Sequence, residues 1–423
     1  MIFLTKYNET ETGKLSEGWK ETTIGEIAHI SRGASPRPIH EFLSNSGIPW
    51  VKISDANSKT NRYIEHTGEF IIEKGRKSTV IVNPGDLIVS NSATPGIPKF
   101  MKISAGIHDG WLLIKPNSSI DRGFIYYLFV YERKSLVSFA DGTVFKNLKT
   151  DIVRAHNVAI PEDISEQKAI AKILSDLDSK IELNNQMNAT LEAMAQAIFK
   201  HWFIDFEFPN ENGKPYKSSG GNMVDSELGK IPEGWHVGKV SDEFNLTMGQ
   251  SPPGSSYNEN ADGIAFFQGR TDFNFRFPTV RIFCNAPTRF AEEDDTLVSV
   301  RAPVGDINIS LEKCCIGRGI AAIRHKSRSS SYTYYVMKNL RNTFENFEAQ
   351  GTVFGSISKT GFETITILVP PTKMIELFEK TVYSIDSSIK CNTLNMYSLI
   401  KVRDSLLPKL MSGKIRVQMV VSK

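Results

Sequence analysis

Two long helical patterns, offset by 208 residues, constrain this chain more than any other feature of its sequence. Between residues 165 and 202, apolar side chains recur at intervals of three and four positions over roughly five heptads, which predicts one continuous amphipathic helix. The same stripe returns between residues 378 and 410, with Asp386 aligned on Asp178. The sequence therefore predicts two related helices, and packing one against the other is the simplest way to bury both stripes.

Polar residues interrupt the apolar stripes near their middles, at Asn184 and Asn188 in the first and at Asn392, which aligns with Asn184, in the second. A helix of about 40 residues is roughly 60 Å long, so the two midpoints face each other only in an antiparallel pair with a pseudo-two-fold axis. The sequence alone leaves parallel and antiparallel packing open, because more than 130 residues separate the helices. We predict that Asn184 and Asn392 approach each other and fix the register of the pair. The alternative is that each is solvated at the edge of its stripe.

The segment before each helix is duplicated as well. The motif Gly-Lys-x-x-Glu-Gly-Trp occurs at residues 13–19 and again at 229–235, an offset of 216. The turn Gly-Thr-Val-Phe occurs at residues 142–145 and 351–354, an offset of 209. The difference of seven residues is expected for variable loops on a common scaffold. The chain is therefore one unit written twice, in which a globular domain precedes a long helix.

Composition shifts divide the chain into segments, and a polar stretch rich in Gly, Pro, Ser and Asn at residues 209–221 marks the linker between the halves. Within each globular domain, short β-rich runs bounded by turn residues precede one helix, near residues 123–139 and 332–347. The predicted segments are a first globular domain (1–162, with an N-terminal segment 1–17), a first long helix (163–206), a linker (207–227), a second globular domain (228–370) and a second long helix with a tail (371–423).

The composition is ordinary for a globular protein, with 40% hydrophobic and 23% charged residues among 423. No apolar run reaches the length of a membrane span, and the N-terminus lacks a signal-peptide pattern. Four cysteines show no metal-ligand spacing, which predicts a reducing, cytoplasmic location and no metal site. The net charge of +3 is too small to indicate nucleic acid by itself.

No motif in the sequence supports catalysis. The chain lacks a phosphate-binding Gly-x-x-x-x-Gly-Lys-Ser/Thr loop, a dinucleotide-binding Gly-x-Gly-x-x-Gly turn and a His-Glu-x-x-His metal motif. The Asn/Asp-Pro-Pro-aromatic loop of base methyltransferases is missing too. A weak nuclease-like cluster near Glu162 and Asp163 lies at a predicted helix start, where acidic residues have an ordinary capping role.

Basic and amide side chains cluster instead in the predicted loops. Residues 18–160 contain eighteen Lys and Arg against thirteen Asp and Glu, whereas residues 234–370 contain fourteen of each. Arg and Lys reach guanine edges, Asn and Gln read adenine, and Ser, Lys and backbone N–H groups hold phosphates. For any single residue, plain solvation is the alternative role. Arg62 lies in the early loops of the first globular domain, together with Arg32, Arg37, Lys52 and Lys59. The DNA-binding candidates are Arg32, Ser35, Arg37, Lys52, Lys59, Lys146 and Lys149 in the first globular domain, and Gln250, Gln268, Arg270, Arg301, Arg318 and Lys359 in the second.

Over nearly its whole length, the chain resembles the DNA-specificity subunit of type I restriction–modification systems. The resemblance rests on the order, duplication and spacing of the two long helices, the two Gly-Thr-Val-Phe turns and two short motifs. These motifs are Glu-Gly-Trp at 17–19 and 233–235 and Gly-x-Ser-Pro at 33–36 and 249–252. The resemblance implies an α+β fold, with two pseudo-symmetric target-recognition domains joined by two long antiparallel coiled-coil helices.

The resemblance also implies a division of labour among subunits. Each globular domain is expected to read one half of a bipartite double-stranded DNA target, and the helix pair is expected to set the gap between the halves. Catalysis is expected on partner chains: two modification subunits that methylate adenine with S-adenosylmethionine, and restriction subunits that translocate and cleave with ATP and Mg²⁺. This chain is then expected to be non-catalytic, to hold no cofactor and to contact no membrane. The expected docking surface for the modification subunits is the outer face of the long helices, including Lys168, Lys172, Glu182 and Glu192.

Two other classes of protein are compatible with parts of the sequence. A structural or interaction protein would use the coiled coil to dimerise and would show no salt-dependent affinity for DNA. One half of a type IIG-like enzyme would need the catalytic motifs that the chain lacks. The sequence favours the specificity subunit over both.

Overall fold

The computed structural model describes residues 2–4, 7–10, 13–57, 61–138, 147–350 and 355–417. Both Gly-Thr-Val-Phe turns lie outside the described residues, and so do Lys59 and Lys146. The chain divides into two compact units. Unit 1 comprises Met1–Gln186 with Thr393–Lys423, and unit 2 comprises Met187–Asn392. Each unit therefore contains one globular domain and one half of each long helix.

The two predicted stripes form helices of forty residues each, Ile164–Phe203 and Thr372–Met411. Their apolar positions enter the cores of both units: Ile170 and Leu174 are buried in unit 1, and Phe378 is buried in unit 2. Amphipathic helices gain most of their stability from such packing. The paired helices thus supply part of the core of each globular domain.

In unit 1 the two long helices run antiparallel. Nη1 of Arg403 in the second helix lies 2.8 Å from Oδ1 of Asp178 in the first. Further along the chain, just past the end of the second helix, Nε of Arg416 lies 2.6 Å from Oε1 of Glu166, which stands near the start of the first. Residue numbers therefore rise along the second helix as those of its partners in the first helix fall, which makes the two helices antiparallel.

Unit 2 repeats this antiparallel arrangement. The rings of Phe199 and Phe378 pack edge to face with centroids 5.8 Å apart, and Nδ2 of Asn392 donates a hydrogen bond to Oδ1 of Asn188 at 3.0 Å. The polar contact in this seam is therefore made by Asn188, one helical turn after Asn184. Asn184 is itself buried, and its Nδ2 has no hydrogen-bond partner among the described residues. The predicted approach of Asn184 to Asn392 stays a prediction.

The first globular domain contains two five-stranded sheets, which are named the larger and the smaller sheet after the length of their strands. In spatial order, the strands of the larger sheet are Ala28–Arg32, Trp111–Pro116, Leu87–Ser90, Pro98–Met101 and Tyr63–Ile64. Those of the smaller sheet are Val80–Val82, Ala105–Ile107, Ile48–Val51, Glu69–Ile71 and Leu43–Ser44. Two-stranded pairs are Ile2–Leu4 with Ile415–Val417, Tyr7–Thr10 with Gly13–Ser16, and Trp19–Thr23 with Asn157–Pro161. The helices are Ile24–Ile27, Ile53–Asn57, Arg122–Ser138 and Thr150–Ala155.

The second globular domain follows the same plan. Its larger sheet comprises Phe244–Met248, Ile320–His325, Thr296–Ser299 and Ile307–Ile309. Its smaller sheet comprises Tyr257–Asn258, Ile282–Cys284, Ile264–Phe267, Cys314–Ile316 and Phe290–Ala291. Two-stranded pairs are Met223–Ser226 with Gly229–Pro232 and His236–Lys239 with Thr366–Val369. The helices are Val240–Glu243, Ser330–Asn339, Arg341–Gln350 and Lys359–Glu363.

Backbone hydrogen bonds show that the duplication is structural. Gly33 N–H donates to the Trp111 carbonyl at 2.8 Å, and Gly249 N–H donates to the Ile320 carbonyl at 2.9 Å. These two bonds are related by the offsets of 216 and 209 found in the sequence. The bonds from Asn91 to Gly110 and from Val300 to Gly319 correspond in the same way, at 2.8 and 2.9 Å. The pseudo-symmetric α+β fold predicted from the sequence is confirmed.

Local details differ from the prediction at two places. The helix expected over residues 332–347 is broken at Leu340 into two separate helices. Residues 48–53 are one of the β-rich runs that the sequence predicts as strands, and the strand there ends at Val51 because Ile53 begins a short helix. Periodicity identified both elements, but the point at which each one ends depends on tertiary packing.

Candidate nucleic-acid interface

The first loop edge (residues 33–37 and 108–110) forms where two loops cross at the end of the larger sheet. Gly33 is required at this crossing, because a Cβ there would lie 2.2 Å from the carbonyl oxygen of His108. Ala34 N–H donates to the carbonyl of Ile107 at 3.1 Å and ties the two loops together. The Gly-x-Ser-Pro motif of the sequence is thus the backbone support of a polar surface.

Asp109 is the centre of the first loop edge. Its Oδ1 accepts a hydrogen bond from the Ser35 hydroxyl at 2.7 Å, and its Oδ2 lies 3.3 Å from Nη2 of Arg37. Nε of Arg32 donates to the Asp109 backbone carbonyl at 2.8 Å. Partial burial acts to raise the pKa of the Asp109 carboxyl, but Ser35, His108 and Arg32 outweigh it and hold the pKa below its usual range. Asp109 therefore orients three of the predicted DNA-binding residues, Ser35 and Arg37 through its carboxylate and Arg32 through its backbone carbonyl.

A groove extends from the first loop edge over the smaller sheet, where Trp50 and His108 line it beside Lys52. Nζ of Lys52 lies 2.5 Å from Oε1 of Glu69. Burial lowers the pKa of His108, and the nearby Asp109 only partly opposes this. Nδ1 of the ring accepts a hydrogen bond from Gly110 N–H at 2.7 Å, which is the arrangement of a neutral imidazole. The structure thus brings Arg32, Ser35, Arg37 and Lys52 to one groove.

The second loop edge (residues 249–253 and 317–319) has the same backbone. A Cβ on Gly249 would lie 2.2 Å from the carbonyl oxygen of Gly317. Arg318 N–H donates to the Ser251 hydroxyl at 3.3 Å, and Gly319 N–H donates to the Gln268 carbonyl at 3.2 Å. These bonds bring Gln250, Gln268 and Arg318 to one exposed edge.

Arg301 joins this edge, because the preceding residue, Val300, donates its N–H to the Gly319 carbonyl at 2.9 Å. Arg318 stands where the first loop edge has Asp109, since the two are related by the offset of 209. The Arg318 side chain is exposed and makes no ion pair within the part of the chain that the structure describes. Its guanidinium is therefore free to meet a phosphate or a guanine edge.

The remaining candidates lie elsewhere. Nε of Arg270 lies 2.5 Å from Oδ2 of Asp306 at a separate groove, and Nζ of Lys359 lies 3.5 Å from Oε1 of Glu363 on the same short helix. Lys149 precedes the helix Thr150–Ala155. Lys59 and Lys146 lie outside the described residues. The geometry of the protein alone does not test a contact between DNA and any candidate, so each assignment stays a prediction.

Arg62 is not a surface loop residue as expected from the sequence. It is buried in the Arg62 cluster (Arg62, Tyr127, Asp178, Ser179 and Glu182). The guanidinium binds Glu182 through two parallel contacts of 3.0 and 2.9 Å, and Nη2 also donates to the Ser179 hydroxyl at 2.8 Å. The hydroxyl of Tyr127 donates to Asp178 at 2.7 Å. Arg62 therefore joins the first globular domain to the first long helix.

The Arg276 cluster (Glu192, Arg276, Tyr335, Lys338 and Asp386) does the same in unit 2. Nη1 of Arg276 lies 2.6 Å from Oε2 of Glu192 in the first long helix, and Nη2 lies 2.7 Å from Oδ1 of Asp386 in the second. Nζ of Lys338 lies 2.6 Å from the other oxygen of Glu192. Burial acts to lower the pKa of Arg276, but the facing carboxylates outweigh it and raise that pKa.

These clusters correct one expectation from the sequence. Glu182 and Glu192 are not on the outer face of the long helices, because the two buried arginines occupy them from the globular domains. Lys168 and Lys172 are exposed as expected, and Nζ of Lys172 lies 2.8 Å from Asp176 on the same helix. A charged residue on a predicted helix says little about exposure when its partner comes from a distant loop. The offset of 208 that relates Asp178 to Asp386, and Tyr127 to Tyr335, is the one signal for these clusters in the sequence.

The described residues contain no group of three or more His, Cys, Asp or Glu side chains with a metal-binding arrangement. None of the helices within the described ranges has the length and apolar character that crossing a membrane requires.

Comparisons with known proteins agree with this architecture. A family model described as "Type I restriction modification DNA specificity domain" matches residues 16–193 and 232–385. A putative type I restriction enzyme MjaX specificity subunit from Methanocaldococcus jannaschii is 28% identical over 432 residues, which cover 97% of this chain and 97% of that protein. The HindI specificity subunit from Haemophilus influenzae is 24% identical over 467 residues, which cover 94% of this chain and 99% of that protein.

Among solved structures, the S subunit of a type I restriction–modification system from M. genitalium is similar with a TM-score of 0.59. The match covers 95% of this chain and 97% of that chain at 16% sequence identity. At this identity the likeness supports the fold alone.

Proposed function

Because the chain belongs to the family defined by the type I restriction–modification DNA-specificity domain, we propose that each globular domain reads one half of a split DNA target. The chain is a sequence-specific DNA-binding subunit, not merely a coiled-coil interaction protein, since the family match covers both globular domains. The observation that carries the proposal is the pair of loop edges. They share one backbone, they project polar side chains, and they differ in the side chains that they project.

The first loop edge and its groove suit recognition of duplex DNA by a small set of preorganised groups. Arg32 and Arg37 are held by Asp109, so their guanidinium groups lose little conformational freedom on binding. Arg in this orientation is suited to a guanine edge or a phosphate, and the nearby Lys52 is suited to a phosphate. The Asp109 carboxylate can itself accept a hydrogen bond from the amino group of cytosine.

The second loop edge suits a different half-site. Gln250 and Gln268 present amide groups, which pair with the adenine edge in the major groove. Arg318 and Arg301 supply positive charge without a carboxylate of the Asp109 type. Two readers of different chemistry on one chain imply two different half-sites, separated by a fixed number of bases.

The long helices are the proposed ruler between the half-sites. Forty residues at about 1.5 Å each give a helix roughly 60 Å long. A helix of this length that contributes to the core of both units is stiff enough to hold a gap of defined length. The number of unread bases then follows from the helix pair and from the way each globular domain is attached to it.

The proposed partners are double-stranded DNA, two modification subunits and the restriction subunits. We place S-adenosylmethionine, ATP and Mg²⁺ on those partners, and this chain in the cytoplasm as their non-catalytic specificity subunit. The exposed face of the first long helix that carries Lys168 and Lys172 is the proposed docking surface for a modification subunit. Glu182 and Glu192 are excluded from that surface because they are engaged inside the units.

The experiment is to express the chain with the modification subunit encoded beside it, in a host that lacks other adenine methylation, and to map the methylated adenines in the host DNA. Expression of the modification subunit alone is the control. The expected result is one split motif with a single gap length. A contiguous motif, or methylation that does not depend on this chain, would contradict the proposal.

A second arm assigns the half-sites. Replacing residues 249–253 and 317–319 with the corresponding loops of a relative is expected to change one half of the motif and leave the other half and the gap unchanged. If both halves change together, the two globular domains do not read separately.

A further inference from the structure

The Arg276 cluster joins one buried arginine to carboxylates on both long helices. Arg276 is only 2% exposed, yet its side chain contacts Glu192 from one long helix and Asp386 from the other. Its guanidinium also lies over the ring of Tyr334, 4.4 Å from the centroid. The backbone carbonyl of Arg276 accepts a hydrogen bond from Ile309 in the larger sheet at 2.8 Å. One residue thus connects the second globular domain to both long helices.

The geometry at Arg276 restrains orientation as well as position. The planar guanidinium donates in fixed directions, and here these directions are set by carboxylates on two separate helices. Rotation of the domain about either helix would break one contact. Lys338 and Gln196 hold the Glu192 carboxylate in turn, at 2.6 and 2.9 Å, so the acceptor is restrained as firmly as the donor. The net charge of the cluster is zero, because two cations face two anions.

We infer that Arg276 is a positioning residue that fixes the angle of the second globular domain on the helix pair. A fixed angle allows only one gap length between the half-sites. This inference depends on the proposed function of the helices as a ruler. Adding or removing one base pair moves a half-site by about 3.4 Å along the DNA axis and by about 35° around it. A domain held at one angle rejects that displacement, and a domain released at Arg276 accommodates part of it.

The Arg62 cluster attaches the first globular domain in a related way, although the long-helix contacts of Arg62 within the described residues are all to the first long helix. Arg62 likewise leaves a loop of its globular domain, is buried, and binds a helix carboxylate with two contacts. Asp178 and Tyr127 in this cluster correspond to Asp386 and Tyr335 in the other, at the offset of 208. The same kind of attachment therefore occurs in both units, although the two arginines come from loops of different length.

The test uses the full chain with its modification subunit and a library of random duplex DNA, from which bound sequences are enriched and read. The variants are Arg276→Met, which keeps the volume and removes the donors, and Asp386→Asn, which keeps the shape and removes the negative charge of the acceptor on the second helix. Arg341→Met is the matched control, since Arg341 is an exposed arginine of unit 2 paired with Glu345 on its own helix. Arg276→Lys tests whether charge without the planar fork is sufficient.

For the unmodified chain, a duplex whose gap is changed by one base pair is expected to bind about tenfold more weakly than the preferred duplex. In Arg276→Met and Asp386→Asn, we expect this ratio to fall to about threefold or less, with both half-site sequences unchanged. Arg276→Lys is expected to give an intermediate ratio, and Arg341→Met the unmodified one. A purely structural role would weaken binding to both duplexes equally and leave the ratio intact.

The outcomes separate the inference from the proposed function. If the unmodified chain enriches no split motif, the ruler itself is wrong and the inference fails with it. If the unmodified chain enriches a split motif with one gap and Asp386→Asn, folded by circular dichroism, keeps the tenfold ratio, only the inference is overturned. Loss of one half-site sequence in Arg276→Met would instead assign Arg276 to base reading and would also overturn it.

Discussion

The two loop edges have the same backbone arrangement but carry opposite charges at the same position. Asp109 in the first and Arg318 in the second each follow the residue that packs against the supporting glycine, Gly33 or Gly249. The carboxylate gathers the surrounding Ser and Arg side chains, whereas the guanidinium is exposed and has no ion pair in the described ranges. The scaffold therefore fixes where a side chain stands and leaves its chemistry free to vary.

The two arginine clusters show the opposite behaviour. Their helix residues, Asp178 with Asp386, are the same in both halves, and so are the tyrosines that donate to them. A buried charge cannot change alone, because removing its partner leaves it uncompensated in a poorly solvated site. The Asp–Tyr pair is therefore repeated in both halves, although the carboxylates that the arginines bind differ, Glu182 for Arg62 and Glu192 with Asp386 for Arg276.

The largest effect is expected from Arg276→Ala. This change leaves Glu192 and Asp386 buried without their shared guanidinium, and the free energy of unfolding should fall by about 3–5 kcal/mol. The loss for Arg62→Ala should lie at the lower end of that range, because the Glu182 carboxylate that it leaves unpaired is partly exposed. Denaturant unfolding followed by tryptophan fluorescence measures both. Arg341→Ala is the control and should change the free energy by less than about 1 kcal/mol.

A loss below about 1 kcal/mol for Arg276→Ala would show that the buried cluster contributes no more to stability than a surface ion pair does.

The next largest effect is expected at the second loop edge. Arg318→Ala should weaken binding of the preferred duplex by about 1–3 kcal/mol and relax selectivity only at the half-site that this domain reads. Titration of labelled duplexes at several salt concentrations separates a base contact from a phosphate contact, because a lost phosphate contact lowers the salt slope by about one. Lys230→Ala, in the hairpin strand Gly229–Pro232, is the control. Unchanged affinity and slope would show that Arg318 does not touch DNA.

Much of the fold could be predicted because the sequence repeats itself. The stripes of the long helices and the paired motifs identified the duplication, and the α+β class and antiparallel helices are confirmed. The break at Leu340 could not be predicted, since apolar spacing is similar in one helix and in two consecutive ones. The smaller sheets could not be predicted as separate layers, because strands of two to four residues give too short a pattern to assign.

The site was predicted less completely, for a physical reason. Residue type identified Arg32 and Arg37 as basic loop residues, but not Asp109, which orients Arg32 through its backbone carbonyl and Arg37 through its carboxylate. Residue type also placed Arg62 with them, although it is buried against Glu182. Whether an arginine faces solvent or a helix depends on contacts more than one hundred residues away in sequence, and local patterns contain no such information.

A smaller effect of opposite sign is expected at the first loop edge. Asp109→Asn removes one negative charge and releases Arg37, so affinity for non-specific duplex should rise by about 0.5–1 kcal/mol while selectivity at the first half-site falls. The salt slope should become steeper, because more positive charge is available to phosphates. Asp151→Asn, an exposed acidic residue paired with Arg154, is the control. If Asp109→Asn instead weakens non-specific binding, the carboxylate is a direct contact and not an organiser of arginines.

The smallest effect is a pH dependence confined to the first loop edge. Burial lowers the pKa of His108 from 6.5, so its neutral form is favoured in the folded chain. The resulting stability is fully present above the unfolded-state pKa and is lost as the pH falls below 6.5 through the folded-state value. Protonation would also remove the Nδ1 acceptor of the Gly110 N–H. The free energy of unfolding, measured between about pH 7.5 and about pH 5.5, should decline less in His108→Gln than in the unmodified chain.

His40→Gln is the matched control for that measurement, because His40 lines the same groove but is exposed. Its pH profile should coincide with that of the unmodified chain. Burial lowers the pKa of His325 in unit 2 as well, so part of the decline must survive in His108→Gln. A profile that becomes flat on changing His108 alone would mean that His325 does not contribute. A profile that His108→Gln leaves unchanged would mean that the first loop edge binds its proton as readily folded as unfolded.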